Sequence, residues 1–123
     1  RWDVSSVTDT SLLFEDSDFN GDISNWDVSN VKDMRWMFSS SKFNGDISKW
    51  DVSKVKNMSW MFKWSDFNGN ISNWNVSNVK EMEGMFTNSQ FNKDISRWNV
   101  LNANTYEMFY KCKIKKSFMP RLK

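Results

Sequence analysis

Trp26, Trp50, Trp74 and Trp98 recur every 24 residues with Trp2 one step before them, and Val4, Val28, Val52, Val76 and Val100 keep the same step. So do Phe19, Phe43, Phe67 and Phe91, and Ile23, Ile47, Ile71 and Ile95. A fixed period marks a repeat architecture, in which no unit can bury its apolar face alone and stability comes from stacking. The unit opening at Ile23 reads I-S-N-W-D-V-S-N-V-K-D-M-R-W-M-F-S-S-S-K-F-N-G-D, and those at Ile47 and Ile71 follow it almost letter for letter. About five coils fill the 123 residues: units near 1–22, 23–46, 47–70, 71–94 and 95–114, then a basic tail or cap over 115–123. The last coil runs one residue short, since Glu107-Met108-Phe109 matches Gly84-Met85-Phe86 at a step of 23. The chain opens inside a coil without a polar capping segment, so a piece of a longer array is expected.

Within a unit, Ile23, Trp26 and Val28 take positions 1, 4 and 6, which predicts a short strand with Trp26 and Val28 on one face and Asp27 on the other. Val31, Met34, Met37 and Phe38 follow at helical spacing and predict about two turns of helix, partly 3₁₀, capped by Ser29 or Asn30. The return passes through Ser41, buries Phe43 and turns at Asn44-Gly45. Lys93 replaces that glycine in the fourth turn, so either the turn does not require φ > 0 or that coil is strained. The expected fold class is an α/β repeat, a β/α solenoid with a parallel strand ladder at about 4.8 Å per coil. Its interior is columns of like side chains, which gives the eight Trp, ten Phe and eight Met a place in the core rather than in a cofactor box.

Composition narrows the function. One cysteine and no histidine leave no intrachain disulfide, imidazole base or zinc cluster. A net charge of +2 is far from that of a dedicated phosphate-backbone binder, so no nucleic acid partner is expected. No run of about 18 apolar residues exists to span a bilayer. Asp22, Asp46, Asn70 and Asp94, with Asn20, Asn44, Asn68 and Asn92, set oxygens beside every turn, but their spacing is that of Asx turns rather than a calcium loop. Asp27 and Asp51 one coil apart have the separation of a glycosidase pair, yet repetition for stacking explains them and no cleft is implied. The chain is therefore expected to be no enzyme and to carry no cofactor or metal.

The 1-4-6 strand, the V-x-x-M-x-x-M-F segment and the small residue three after Phe (Ser41, Ser65, Ser89, then Cys112) resemble the BspA-type leucine-rich-repeat family. More closely, the chain is similar to the branch with the motif F-N-x-D-I-S-x-W-D-V-S-x-V-x-x-M-x-x-M-F, found in repeated bacterial surface proteins and lipoproteins and in some large DNA viruses. The likeness covers residues 1 to about 114. It implies a curved, leucine-rich-repeat-like solenoid at a cell surface or on a virion, used in adhesion or partner binding, with no shared catalytic residues.

On such an array the strand face projects the side chains between the apolar anchors. The column Asn25, Lys49, Asn73 and Arg97 varies while its neighbours do not, as a surface tuned to a partner would, with Asp27 and Asp51 beside it. The serine columns are expected to hydrogen-bond along the stack. A second candidate surface is aromatic: Trp36 and Trp60 share a column between Leu12 and Gly84, and Trp64 follows four residues after Trp60. Its alternative is that these rings only cover the coils. Charge runs from −6 over residues 1–30 to +6 over 91–123. Phe118, Met119 and Leu122 are placed to cover the last coil, interleaved with lysines that face water or an acidic partner. The expected function is a surface-displayed adhesion module that takes a protein or glycan partner on the strand face; the alternative is a structural assembly module of a virion or cell-surface layer.

Overall fold

The computed structural model describes residues 3–122, so the place expected for Trp2 at the head of its column lies outside the described residues. Each unit closes one coil, and it does so with turns. Among the described residues the sole helical segment is one 3₁₀ turn at Lys116–Phe118, and there is no strand or sheet. Isolated parallel bridges join Asp9 to Asp33, Asp33 to Asn57, Asn57 to Glu81 and Glu81 to Asn104. The expected α/β solenoid with a parallel strand ladder, and the helix over Val31–Phe38, are thus corrected to a stack of turn-built coils.

The backbone hydrogen bonds explain the correction. In the second coil the N–H groups of Met34, Trp36, Phe38 and Ser40 donate to the carbonyls of Asn57, Ser59, Met61 and Lys63 in the next coil, at 2.8 to 3.1 Å. The N–H groups of Met37, Ser39 and Ser41 donate back to Met34, Trp36 and Phe38, each at 3.2 Å. Alternate amides therefore point along the stack and the rest close turns. This needs a left-handed residue at every fourth position: Leu12 and Asp16, Trp36 and Ser40, Trp60 and Trp64, Gly84 and Asn88, Glu107 and Lys111 all have φ between 52° and 64°. An α-helix would turn every amide inward, and neighbouring helices need about 8–10 Å between axes. The rings of Phe38, Phe62 and Phe86 repeat at 5.6 and 5.5 Å, too close for a helix on every coil.

The segment read as a strand makes two turns instead. Trp50 N–H donates to Ile47 O at 3.2 Å and Val55 N–H to Val52 O at 3.0 Å, so these amides are spent within the coil. What joins coils here is side chain: the indole Nε1–H groups of Trp50, Trp74 and Trp98 donate to the carbonyls of Ile23, Ile47 and Ile71 at 3.0 to 3.1 Å. The same indoles stack at 6.4 and 6.3 Å with their planes nearly parallel. Phe43, Phe67 and Phe91 form a parallel column that touches the Phe38 column ring to ring. Met34, Met37, Met58, Met61, Met82 and Met85 fill the remaining interior and are fully buried.

Polar groups follow the same register. The buried Ser41, Ser65 and Ser89 accept the N–H of Phe43, Phe67 and Phe91 through Oγ at 3.0 to 3.1 Å, which explains the small residue after each M-F pair. Cys112 takes that place last and donates its thiol to Phe91 O at 3.4 Å. Ser24, Ser29, Ser48, Ser53 and Ser77 bond the Asp or Asn two residues earlier, within their own turn. They do not bond along the stack as expected, nor does Ser29 cap a helix. The ladder between coils is asparagine: Oδ1 of Asn20, Asn44 and Asn68 accepts the N–H of Asn44, Asn68 and Asn92 at 2.7 to 2.9 Å.

Gly21, Gly45 and Gly69 do not take positive φ, so Lys93 faces no such requirement. They are small because a Cβ there would lie 2.8 Å from the ring of the Phe two residues before, and the chain bends at Lys93 where that rule is broken. The missing residue of the fifth coil falls next to Asn104, whose N–H takes Lys80 O at 2.9 Å while its carbonyl takes Met82 N–H at 2.8 Å. Beyond it, Phe109 stacks on Phe86 at 5.7 Å. The tail then continues the stack: Lys115 N–H donates to Asn92 Oδ1 at 2.8 Å, Ile95 N–H donates to Phe118 O at 3.0 Å, and Phe118 and Met119 pack on the core.

Trp50 is 4% exposed, so Trp50→Ala opens a cavity and removes a ladder bond; it should cost about 3–5 kcal/mol, read by chemical denaturation. Ser40 is exposed at φ 53°. Relief of left-handed strain, about 1–2 kcal/mol, outweighs the added freedom of an unfolded glycine, about 0.4–1 kcal/mol. Ser40→Gly should therefore raise stability by about 0.5 kcal/mol or more, with a higher denaturation midpoint.

Candidate functional site

Two groups of candidate residues occupy different stretches of the coil. Asn25, Lys49, Asn73 and Arg97 are all exposed at the tips of the I-S-x-W turns, so the column expected on a strand face lies on a row of turns. The turns hold them by a constant device on either side. Asp22, Asp46 and Asn70 each accept the N–H of the serine two residues on at 2.9 to 3.0 Å, and the Trp N–H closes the turn on the Ile carbonyl. The side chain between them is exposed and is not what closes the turn, which is why its chemistry can change.

Asp27 and Asp51 are exposed but partly engaged. One oxygen of each accepts both N–H and Oγ–H of Ser29 or Ser53. The serine hydroxyl, then the amide, hold both carboxyls below the usual aspartate range; the like charges of Asp51 and Asp3 oppose this at Asp27, and the charge of Lys54 adds to it at Asp51. Asn75 does the same service for Ser77 at 3.1 and 2.7 Å, so the acceptor and not the charge builds the turn. A carboxylate held ionised in this way is a charge for a partner to meet.

The tryptophans divide. Trp36 and Trp60 are half-buried and stack at 5.6 Å with planes 19° apart. Lys63 places its ammonium 5.4 and 5.2 Å from the two ring centres. Gly84 completes this arrangement, because a Cβ there would lie 2.0 Å from Cζ3 of Trp60: the indole lies flat over the glycine. Trp64 is not in that stack. It is 58% exposed on the next turn, at φ 58°, in the column otherwise held by Asp16, Ser40, Asn88 and Lys111. Those residues are polar and most are small; an exposed indole in left-handed backbone pays strain without burial in return.

The variable turn column runs into an open groove of about 610 Å³ at the C-terminal coils, lined by Asn73, Arg97 and Phe118 among others. Sequence reasoning had Asn73 and Arg97 but not Lys93 or Phe118 as functional candidates; the signal available was that Lys93 breaks a glycine column. Among the described residues no group of three or more acidic, cysteine or histidine side chains gathers as metal ligands, and no helix is long and apolar enough to cross a membrane. Burial pushes the Cys112 thiol up from its ordinary value.

The family model described as "Mycoplasma protein of unknown function, DUF285" matches residues 1–66 and 63–119. Two matches in tandem agree, at the coarse level, with the BspA-type repeat resemblance. No curated protein and no solved structure matches the chain.

The aspartates of the turns set a pH dependence. Their folded pKa values lie below the unfolded ones, so the stability they contribute is complete above the unfolded value of about 3.9 and is lost as pH falls through the folded values. The melting temperature should hold from pH 7 to about 5 and fall below about pH 4. Asp27→Asn with Asp51→Asn should keep the fold and flatten that fall, followed by circular dichroism melts across pH.

Proposed function

We propose a function from the premise that the chain belongs to the DUF285 family of Mycoplasma proteins of unknown function. The protein is a non-enzymatic adhesion module displayed at a surface, and its stack of coils is a rigid frame for side chains that take a protein or glycan partner. The single observation that supports this most is Trp64. An indole left 58% exposed, in a backbone conformation that disfavours it, adds nothing to the frame. Tryptophan is enriched among the residues that carry most of the binding energy of interfaces. Around it, the Trp36–Trp60 pair and Lys63 offer an aromatic and cationic surface whose positions are set by stacking. The turn column Asn25, Lys49, Asn73 and Arg97 extends the contact surface with polar groups on a second stretch of each coil.

The test applies the labelled chain to arrayed glycans and purified extracellular proteins. Retention on discrete spots is expected, and Trp64→Ser should weaken it by tenfold or more with the melting temperature unchanged, since Ser40 already occupies the equivalent position. Retention untouched by Trp64→Ser would remove the tryptophan surface from the reading. Self-association in sedimentation with no retention anywhere would favour the assembly module instead.

A further inference from the structure

Two departures from the repeat meet in one place. Lys93 stands where Gly21, Gly45 and Gly69 stand in the other coils, and Arg97 stands where Asn25, Lys49 and Asn73 stand. Both line the groove of about 610 Å³, and its aromatic wall, Phe118, comes from the tail. Phe118 is held by its carbonyl on Ile95 N–H at 3.0 Å, with the Lys115 ammonium 5.3 Å from its ring centre. Among the described residues neither Lys93 nor Arg97 has a carboxylate within ion-pair distance. Asp94 shares the groove, where Ser96 N–H takes one of its oxygens at 2.9 Å and the charge of Arg97 helps to keep it ionised. At this point of the stack Lys93 and Arg97 set two cations and Phe118 an aromatic ring around one cavity.

We infer that this groove binds an acidic sugar, a pyranose bearing a carboxylate such as a sialic or uronic acid. Its volume falls within the range of small-molecule sites. The guanidinium of Arg97 suits a carboxylate through paired N–H donors, and Lys93 adds charge beside it. The amides of Asn70, Asn73 and Asn92 and the hydroxyl of Ser72 offer both donors and acceptors, which ring hydroxyls require. Phe118 supplies the flat apolar surface on which the C–H face of a pyranose lies. Apart from Phe118 every lining residue carries a polar group, which suits a ligand with many hydroxyls. The inference rests on the reading of the chain as a binding module, but on residues separate from Trp36, Trp60 and Trp64.

The experiment titrates the full chain by calorimetry with sialyllactose and glucuronate, with lactose and glucose as uncharged controls and hexaglutamate as an acidic peptide. The charged sugars should bind at least tenfold more tightly than the controls and the peptide. Two variants restore the repeat's own residues and so keep the frame: Arg97→Asn and Lys93→Gly. Each should cost about tenfold or more in affinity for sialyllactose, the size of a lost charged hydrogen bond, at unchanged melting temperature. Trp64→Ser should leave this affinity as it was, which separates a failure here from a failure of the tryptophan surface. Charged sugars bound no better than lactose, hexaglutamate bound as tightly, or binding that survives both reversions would each overturn the proposal.

Discussion

Every other backbone amide of the M-x-x-M-F segment donates to the next coil, and the rest of the molecule depends on that pattern. It forces a left-handed residue at every fourth position, since only a turn of that hand returns one amide inward and sends the next along the stack. In return it brings successive coils close enough for the Phe38, Phe62, Phe86 and Phe109 rings to meet face to face. Ten of the described residues are left-handed, nine of them not glycine, and they persist because the bonds on both sides over-determine them.

The opposite edge of the coil is built on another principle. Backbone amides there are consumed in local turns, and indole-to-carbonyl bonds and asparagine ladders join the coils. A frame held by constant side chains and backbone at fixed positions leaves the positions between them open to change. Arg97 sits at such a position, whereas Trp64 and Lys93 depart from the repeat at the expense of left-handed strain and of a bend in the chain; together they give the surface its local character.

The period, the columns and the short last coil were legible because like side chains must meet in a stack, so spacing alone identifies them: Phe109 on Phe86, Cys112 after Ser89, Trp98 on Trp74. The helix was misread for a physical reason. Apolar residues at steps of three, three and one line one side of a helix, but they equally line the inside of consecutive turns, and nothing in Val31–Phe38 itself separates the two. The strand was misread likewise, because Trp26 and Val28 share an inward side in a turn as they would in a strand. Among the candidate site residues, the exposure of Asn25, Lys49, Asn73 and Arg97 and the pairing of Trp36 with Trp60 were readable from register. The separation of Trp64 from that pair, and Gly84 as the floor under Trp60, were not.

By itself the sequence determined which residues face one another, because a period of 24 makes every contact between coils a contact between like positions. Only the tertiary structure decided how the backbone runs between those contacts. Each amide can bond within its coil or across to the next, and that choice is settled by how closely the neighbouring coil approaches. The same holds for the groove: Lys93 and Arg97 are visible as exceptions in the sequence, but the tail residue that faces them, Phe118, lies outside the repeat. Its place is set by the hydrogen bond that Ile95 donates to it once the last coil is stacked.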